Sequence, residues 1–477
     1  DLGLPRAVVE GALADLEGRG RVVRGALRPG GHEMEWVSVD VLQRMRRRSL
    51  ALLRRQIEAV GPDALVRFSH SWHGVGGGGS GPARMRETLE RLQGAALPAS
   101  ILESDVLPAR LDYSPDLLDS LTASGDVVWV GRGALGGRDG RVALYLRDRV
   151  AELMWDLGVD RPADVVHDRI RNHLGQRGAS FFRDLYDAAG GGDPEVILAA
   201  LWDLVWAGEV TNDTIAPLRA YLWGRVRKTP GRRPILPGST APPAGSGRWY
   251  LTRDLLAAVT PEAVVAARTQ QLLSRHGILV RDAVLAEGVP GGFAGVYPVL
   301  SAMEDVGRVR RGYFVEGLGG SQFALPGAVE RLRLDPGAEG AVVLAAADPA
   351  NPYGAAIPWP EQSRQSTVVS RQPENPDRGS DRKNPQRAAR SAGAYVVTVA
   401  GTLTAFVDRG GRAVHSYTND PDTIATTAVA ITDLARTRLR RMVVASIDGA
   451  DPATTPLGRA LLAAGFAVSY RGLAARS

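Results

Sequence analysis

The stretch Leu118-Asp-Ser-Leu-Thr-Ala-Ser-Gly125-Asp-Val-Val-Trp-Val-Gly-Arg-Gly133 decides the reading of this chain. Leu118 and Leu121, three residues apart, share one helix face. Gly125, four residues on, suits the left-handed position at which helices stop. Val127 opens an extended run, and Gly131-Arg132-Gly133 supplies a basic turn. The same phrase returns at Leu13, Leu16, Gly20 and Val22, at Leu201, Leu204, Gly208 and Val210, and at Leu300, Met303, Gly307 and Val309. Arg24-Gly25 and Arg310-Arg311-Gly312 follow two of these copies as similar turns. Helix, glycine stop, strand and basic turn is the second half of a winged helix, where the helix enters a nucleic-acid groove and the turn is the wing. One copy fits any helix-to-strand junction. Four copies, spaced at roughly 80 to 105 residues, predict a tandem array of domain-sized units.

Composition bounds what such an array does. A chain of 477 residues holds three or more domains, and 44% hydrophobic residues suffice for ordinary cores. Cysteine is absent, which excludes disulfides and thiolate metal sites. The seven histidines form no His-x-x-x-His pair, so no metal site is expected. No stretch resembles a membrane span or signal peptide, so the expected setting is cytoplasmic and nucleoid-associated, with no membrane partner. Net charge is +6, and every basic residue except Lys228 and Lys383 is arginine. Arginine suits phosphate forks and base edges, although a GC-rich genome inflates it equally. The absence of Met at position 1, with a repeat starting at once, predicts the C-terminal part of a longer protein.

The expected fold is multidomain α+β, with tandem winged helices followed by a β-rich, barrel-like module. Residues 1–60 read as the end of a winged unit plus a basic amphipathic helix. Units follow at 61–158 and 159–227. The Pro/Gly/Ser-rich tract 228–247 reads as a linker, and a further unit spans 248–335. The β-rich module covers 336–477, with a disordered insert at 361–392. Ala341–Ala346 is expected to pair with strands after residue 393.

No phosphate loop is written here, because Gly76 to Gly79 is not followed by the required lysine and no strand precedes it. Candidate nucleic-acid contacts are Arg24, Arg132, Arg138, Arg308, Arg310 and Arg311 on the basic turns. Trp72 with His73, beside a glycine turn, adds a stacking platform. Glu103, Asp105 and Asp112 are candidate carboxylates for base excision, which needs an acid beside a flipped sugar. The alternative is that they cap helices or pair with Arg110.

Four phrases carry a family resemblance: Gly125-Asp-Val-Val-Trp-Val-Gly-Arg-Gly133, Leu201-Trp-Asp-Leu-Val-Trp-Ala-Gly-Glu-Val-Thr-Asn-Asp-Thr214, Arg311-Gly-Tyr-Phe-Val-Glu-Gly-Leu-Gly-Gly-Ser-Gln-Phe323 and Asp348-Pro-Ala-Asn-Pro-Tyr-Gly354. Together they resemble the C-terminal region of Lhr, the bacterial large helicase-related family of superfamily 2 DNA helicases. The resemblance implies a non-motor extension of an ATP-dependent 3'-5' DNA repair helicase. Its expected partners are single-stranded or forked DNA, with RNA as a further candidate, and a second copy of itself. ATP and magnesium would belong to motor domains elsewhere in the polypeptide, and this region would need no cofactor. More distantly, the chain is similar to tandem winged-helix DNA glycosylases of the AlkZ type. Their motif of two glutamines, or a glutamine and an aspartate, around an apolar residue is not completed at Gln93-Gly94-Ala95 or Gln322-Phe323-Ala324. Some family members are credited with uracil excision through an aspartate near the very C-terminus. Here the last acid is Asp451.

Overall fold

The computed structural model describes residues 5–26, 34–45, 58–136, 138–155, 161–224, 242–334, 340–360 and 388–475. The unit around the opening phrase begins at helix Pro82–Leu92, which buries the Met85, Thr88, Leu89 and Leu92 stripe expected of an amphipathic helix. Strand Leu97–Pro98 follows, then a helical turn at Ala99–Ile101 that widens into a π turn over Leu102–Val106. Helix Pro115–Ala123 and strands Val127–Ala134 and Gly140–Leu146 complete it. The third strand lies between the first and the second, and both pairings are antiparallel. This is winged-helix topology. Gly125 ends the third helix at φ 80°, a conformation that costs glycine nothing and other residues much.

The same order recurs twice. Helices Val165–Arg177, Phe182–Ala189 and Pro194–Trp206 go with strands Ser180–Phe181, Val210–Asn212 and Arg248–Leu251. Helices Pro261–His276, Arg281–Ala286 and Gly292–Asp305 go with strands Ile278–Leu279, Arg310–Gly312 and Gln322–Ala324. Each sheet again runs first, third, second. Arg248–Leu251, which the sequence reading puts at the head of the next unit, pairs with Val210–Asn212 and Ser180–Phe181 instead. The described end of the tract read as a linker, residues 242–247, therefore leads into the last strand of this unit and not into the next unit. Residues 228–241 are outside the described residues. Residues 242–247 pack down, with Trp202 and Trp249 Nε1 donating to the carbonyls of Ala244 and Gly245.

At the N-terminus, helix Arg6–Gly18 and the hairpin Val22–Gly25/Glu35–Ser38 supply the second half of such a unit. The expected basic helix after it falls largely on 46–57, outside the described residues. The C-terminal region departs from expectation. Ala341–Ala345 does pair with Tyr395–Val399. The sheet continues through Thr402–Val407 and Ala413–Ser416 to a parallel partner at Ser446–Ile447. Among the described residues it is an open five-stranded sheet, not a barrel.

Beside that sheet stands another winged order. Helix Pro421–Thr437, strand Val443–Val444, the turn Pro452–Thr454, helix Pro456–Ala463 and strands Phe466–Ser469 and Gly472–Ala475 form it. Their three strands once more run first, third, second. The sequence phrase is blurred here because Gly458 and Ala467 replace its apolar and valine positions. Gly458 is required, since a Cβ there would sit 1.7 Å from the Pro452 carbonyl.

The units are not beads. The hairpin of the 82–146 unit lies on helix Pro194–Trp206 so closely that a Cβ on Gly131 would come 1.9 Å from Val205 O. The C-terminal sheet is covered on both faces, as alternation along a strand requires. Tyr395, Val397 and Val407 join a core with Trp129, Leu201 and Ile431. Val396, Leu344 and Phe406 join another with Phe68, Ile278 and Phe314. The expected disordered insert at 361–392 falls mostly on 361–387, outside the described residues. Its end is ordered: the Arg390 guanidinium donates to the carbonyls of Asp348 and Tyr353. Among the described residues no helix is long and apolar enough to cross a membrane, and no cluster of metal-ligating side chains occurs.

Candidate nucleic-acid interface

The residues read as nucleic-acid contacts separate into exposed and enclosed sets. Arg24 is exposed on its hairpin, its guanidinium 5.4 Å from the Trp36 ring centre. Arg138 is exposed at a wing turn, against Gly224. Arg308 is exposed where helix Gly292–Asp305 hands over to its strand. Arg310 is exposed but holds Glu330 at 2.6 Å. Arg311 is half-buried, donating to Tyr297 Oη and Ser321 Oγ at 2.8 Å each. Arg132 is buried under the hairpin, donating to Trp155 O at 2.6 Å and stacking on that ring at 4.4 Å.

Trp72, half-buried, and His73, buried, stand side by side at the end of helix Pro62–Trp72. Trp72 donates Nε1 to Ser274 O at 2.8 Å, stacks on Phe68 at 5.2 Å and carries Arg331 over its ring at 5.1 Å. Its platform is already occupied by protein. His73 is buried, and its imidazole is held well below its ordinary pKa by loss of water, helped by Arg110, His276, Arg275 and Arg91.

His73 borders a cluster of charged side chains in the interior. Arg110 and Asp348, each with 1% of its side chain exposed, form a bidentate pair at 2.8 and 2.6 Å. Glu287 pairs with Arg275 and accepts from His276 Nε2 at 3.0 Å. Burial pushes its carboxyl up, but the Arg275 guanidinium and the hydrogen bonds from Arg275 and His276 outweigh burial and hold it at about 2. A cavity of about 290 Å³ opens next to this pair. It is lined by Glu287, His276, Arg141, Asn351, Arg390 and small apolar residues. The family-like phrase Asp348 to Gly354 forms one wall, held by Arg390 and by Asn351, whose amide donates to Ala346 O. Nothing in the local sequence marks Glu287. Its partners come from the preceding helix, and its cavity is completed by residues 60 and more positions away.

The three acids read as excision candidates do not meet. Glu103 is clamped by Arg219 through two bonds of 2.8 and 2.7 Å and accepts from Tyr113 Oη. Asp105 is buried and its carboxyl raised by burial, against a hydrogen bond from Ser104 and the charge of Arg438. Asp112 is exposed, its amide donating to Gly79 O. None of the three lines the cavity. The sequence reading also passes over Arg459, Tyr470 and Arg471, which the last winged unit presents to solvent. The signal was present as the aromatic–basic–glycine turn Tyr470-Arg471-Gly472 after a strand.

Comparison with known proteins gives this arrangement its relatives. Residues 60–147 and 258–342 each match a winged-helix domain of the large helicase-related protein, the third and the fourth. A Mycolicibacterium smegmatis protein described as "Lhr helicase/ probable uracil glycosylase" is 41% identical over 99% of this chain. An Escherichia coli "Lhr helicase/uracil glycosylase" is 32% identical over the same share. The chain spans about a third, 32%, of the length of each. The solved structure of Streptomyces sahachiroi DNA glycosylase AlkZ aligns with 82% of this chain and 100% of its own, at 12% identity and a TM-score of 0.45. The winged-helix matches and a likeness running along 99% of the chain place it with the C-terminal region of the large helicase-related family.

Proposed function

We propose that this chain is a nucleic-acid-binding accessory region of an ATP-dependent DNA repair helicase, and that it also mediates self-association. The observation that carries the reading is the recurrence of one groove-binding strand order, complete in four units, in an arginine-rich chain of net charge +6. The exposed wing arginines Arg24, Arg138 and Arg308 supply phosphate contacts, and Arg310 can exchange Glu330 for a phosphate. ATP and magnesium chemistry belongs to the motor part of the larger polypeptide. Anisotropy titration of labelled single-stranded, forked and duplex DNA, and of RNA, tests the reading. Affinity should fall linearly on a log scale with salt, by about 0.9 per duplex phosphate neutralised. Absence of binding at about 50 mM salt, where even non-specific contacts hold, would overturn it. Light scattering of the same samples tests self-association, which a monomer at all concentrations refutes.

A second reading, excision of uracil or an alkylated base, is favoured by one observation. The cavity beside Glu287 is near the lower size limit of small-molecule sites and has an ionised carboxylate in its wall. Base release from uracil-containing single strands, lost in Glu287→Gln or in the amide variant of Glu103, Asp105 or Asp112, would establish it. No release by the wild-type chain refutes it.

A further inference from the structure

We propose that the tip of the last hairpin, Tyr470 with Arg471, is a stacking site for an unpaired nucleobase. This wing would then engage single-stranded or frayed nucleic acid in preference to duplex. The inference rests on the nucleic-acid reading above and adds to it which wing meets which form of the ligand.

The hairpin joins strands Phe466–Ser469 and Gly472–Ala475 through the two residues Tyr470 and Arg471. Tyr470 is 89% exposed and Val468, two residues back on the same face, is 72% exposed. The Arg471 guanidinium lies 5.0 Å from the Tyr470 ring centre. The tip is nonetheless anchored. Ser469 Oγ donates to Gly472 O at 3.0 Å and accepts from the Arg471 amide at 3.3 Å. Strand Val443–Val444 presses so closely on the turn that a Cβ at Gly472 would lie 2.0 Å from Val444 O. A large aromatic ring is thus carried out into water on an anchored hairpin.

Charge selects the occupant. Arg471 at the tip and Arg459 on helix Pro456–Ala463 are both exposed, and in a winged helix this helix and the wing address one ligand. No Asp or Glu follows Asp451 in the chain. A polyanion carrying flat π faces fits an aromatic ring with an arginine beside it, at the end of a chain segment that carries no acid. The base must be unpaired, because in a duplex both faces of each base are already covered, whereas aromatic platforms take splayed bases.

The test uses the full chain and three labelled probes: a single-stranded oligonucleotide, a fork and a blunt duplex. Tyr470→Ala should weaken single-strand and fork binding by about 5- to 140-fold, the range for loss of one stacked base. Duplex affinity should stay within about twofold. Tyr470→Phe and Tyr470→Trp should keep wild-type affinity, since the ring and not the hydroxyl does the stacking. Arg471→Ala should lower the single-strand salt slope by about 0.7. A 2-aminopurine base in the single strand should be quenched by the wild type and not by Tyr470→Ala. An unchanged single-strand affinity in Tyr470→Ala overturns the proposal. So does an equal loss on all three probes, or a changed molar mass by light scattering, which would make the tip a subunit contact. Failure of the wild type to bind any probe would instead sink the accessory-region reading itself.

Discussion

Asp348→Ala removes one half of the Arg110–Asp348 pair and leaves the Arg110 guanidinium enclosed without its counter-ion. Both side chains are 1% exposed, so water cannot take over the bonds of 2.8 and 2.6 Å. Breaking a buried pair from one side costs about 3–5 kcal/mol. The Ala350 amide, 2.7 Å from Asp348 Oδ1, loses its acceptor as well. The pair ties the winged unit at 82–146 to the C-terminal sheet, so the loss should appear as opening of that junction. At 1.4 kcal/mol per decade, the opened population rises about 140- to 3,700-fold. Hydrogen exchange of the amides in Ala341–Ala345 and Tyr395–Val399 reads this directly, and urea unfolding should show the same loss. The double variant Arg110→Met/Asp348→Leu, which removes both charges, should recover most of the stability. Exchange in Asp348→Ala within tenfold of wild type would refute the reasoning, because it would mean that Arg110 finds water or another acceptor.

Glu287 makes stability depend on acid. Its carboxyl is lowered from an ordinary 4.5 to about 2, so its contribution, about 3 kcal/mol, is complete above pH 4.5 and lost as pH falls towards 2. Melting curves of Glu287→Gln should lose that part of the slope. His73, kept neutral by burial, should make the fold less stable as pH drops below about 6.5, and His73→Leu should flatten the curve between pH 7 and 5. Trp72→Ala should lower stability by about 3 kcal/mol while leaving single-strand affinity unchanged, as measured by urea titration and anisotropy. Arg308→Ala should reduce the duplex salt slope by about 0.9, whereas Arg311→Ala should chiefly lower the melting temperature by freeing Tyr297 and Ser321.

What the sequence revealed, and what it hid, follows from the range of the forces involved. The glycine stops at 20, 125, 208 and 307 all have φ between 66° and 80°. Each is a local decision of the backbone, readable within ten residues. The tandem winged-helix, α+β architecture follows from them. Strand Arg248–Leu251 was misplaced because its partners stand some 36 and 67 residues earlier, beyond a proline-rich tract. The last winged unit escaped because Gly458 answers to a close backbone contact that periodicity does not register, and Ala467 stands where the other copies have valine. The candidate site was the least legible part. Whether Arg132 or Trp72 meets solvent depends on Trp155, Ser274 and Arg331, and no short window contains those encounters. The exposed arginines at 24, 138 and 308 needed only a turn, and a turn is local.

The Arg110–Asp348 clasp closes a sequence gap of 238 residues. A ribosome adding about 5–20 residues per second needs about 12 to 48 s to deliver the second partner after the first. Throughout that interval the nascent chain carries a cation destined for burial whose counter-ion has not yet been made. The faces of Phe68 and Trp129 that the C-terminal sheet will cover are open for just as long. Biosynthesis of this array should therefore be a period of chaperone dependence, ending only when the strands of the C-terminal sheet have been made.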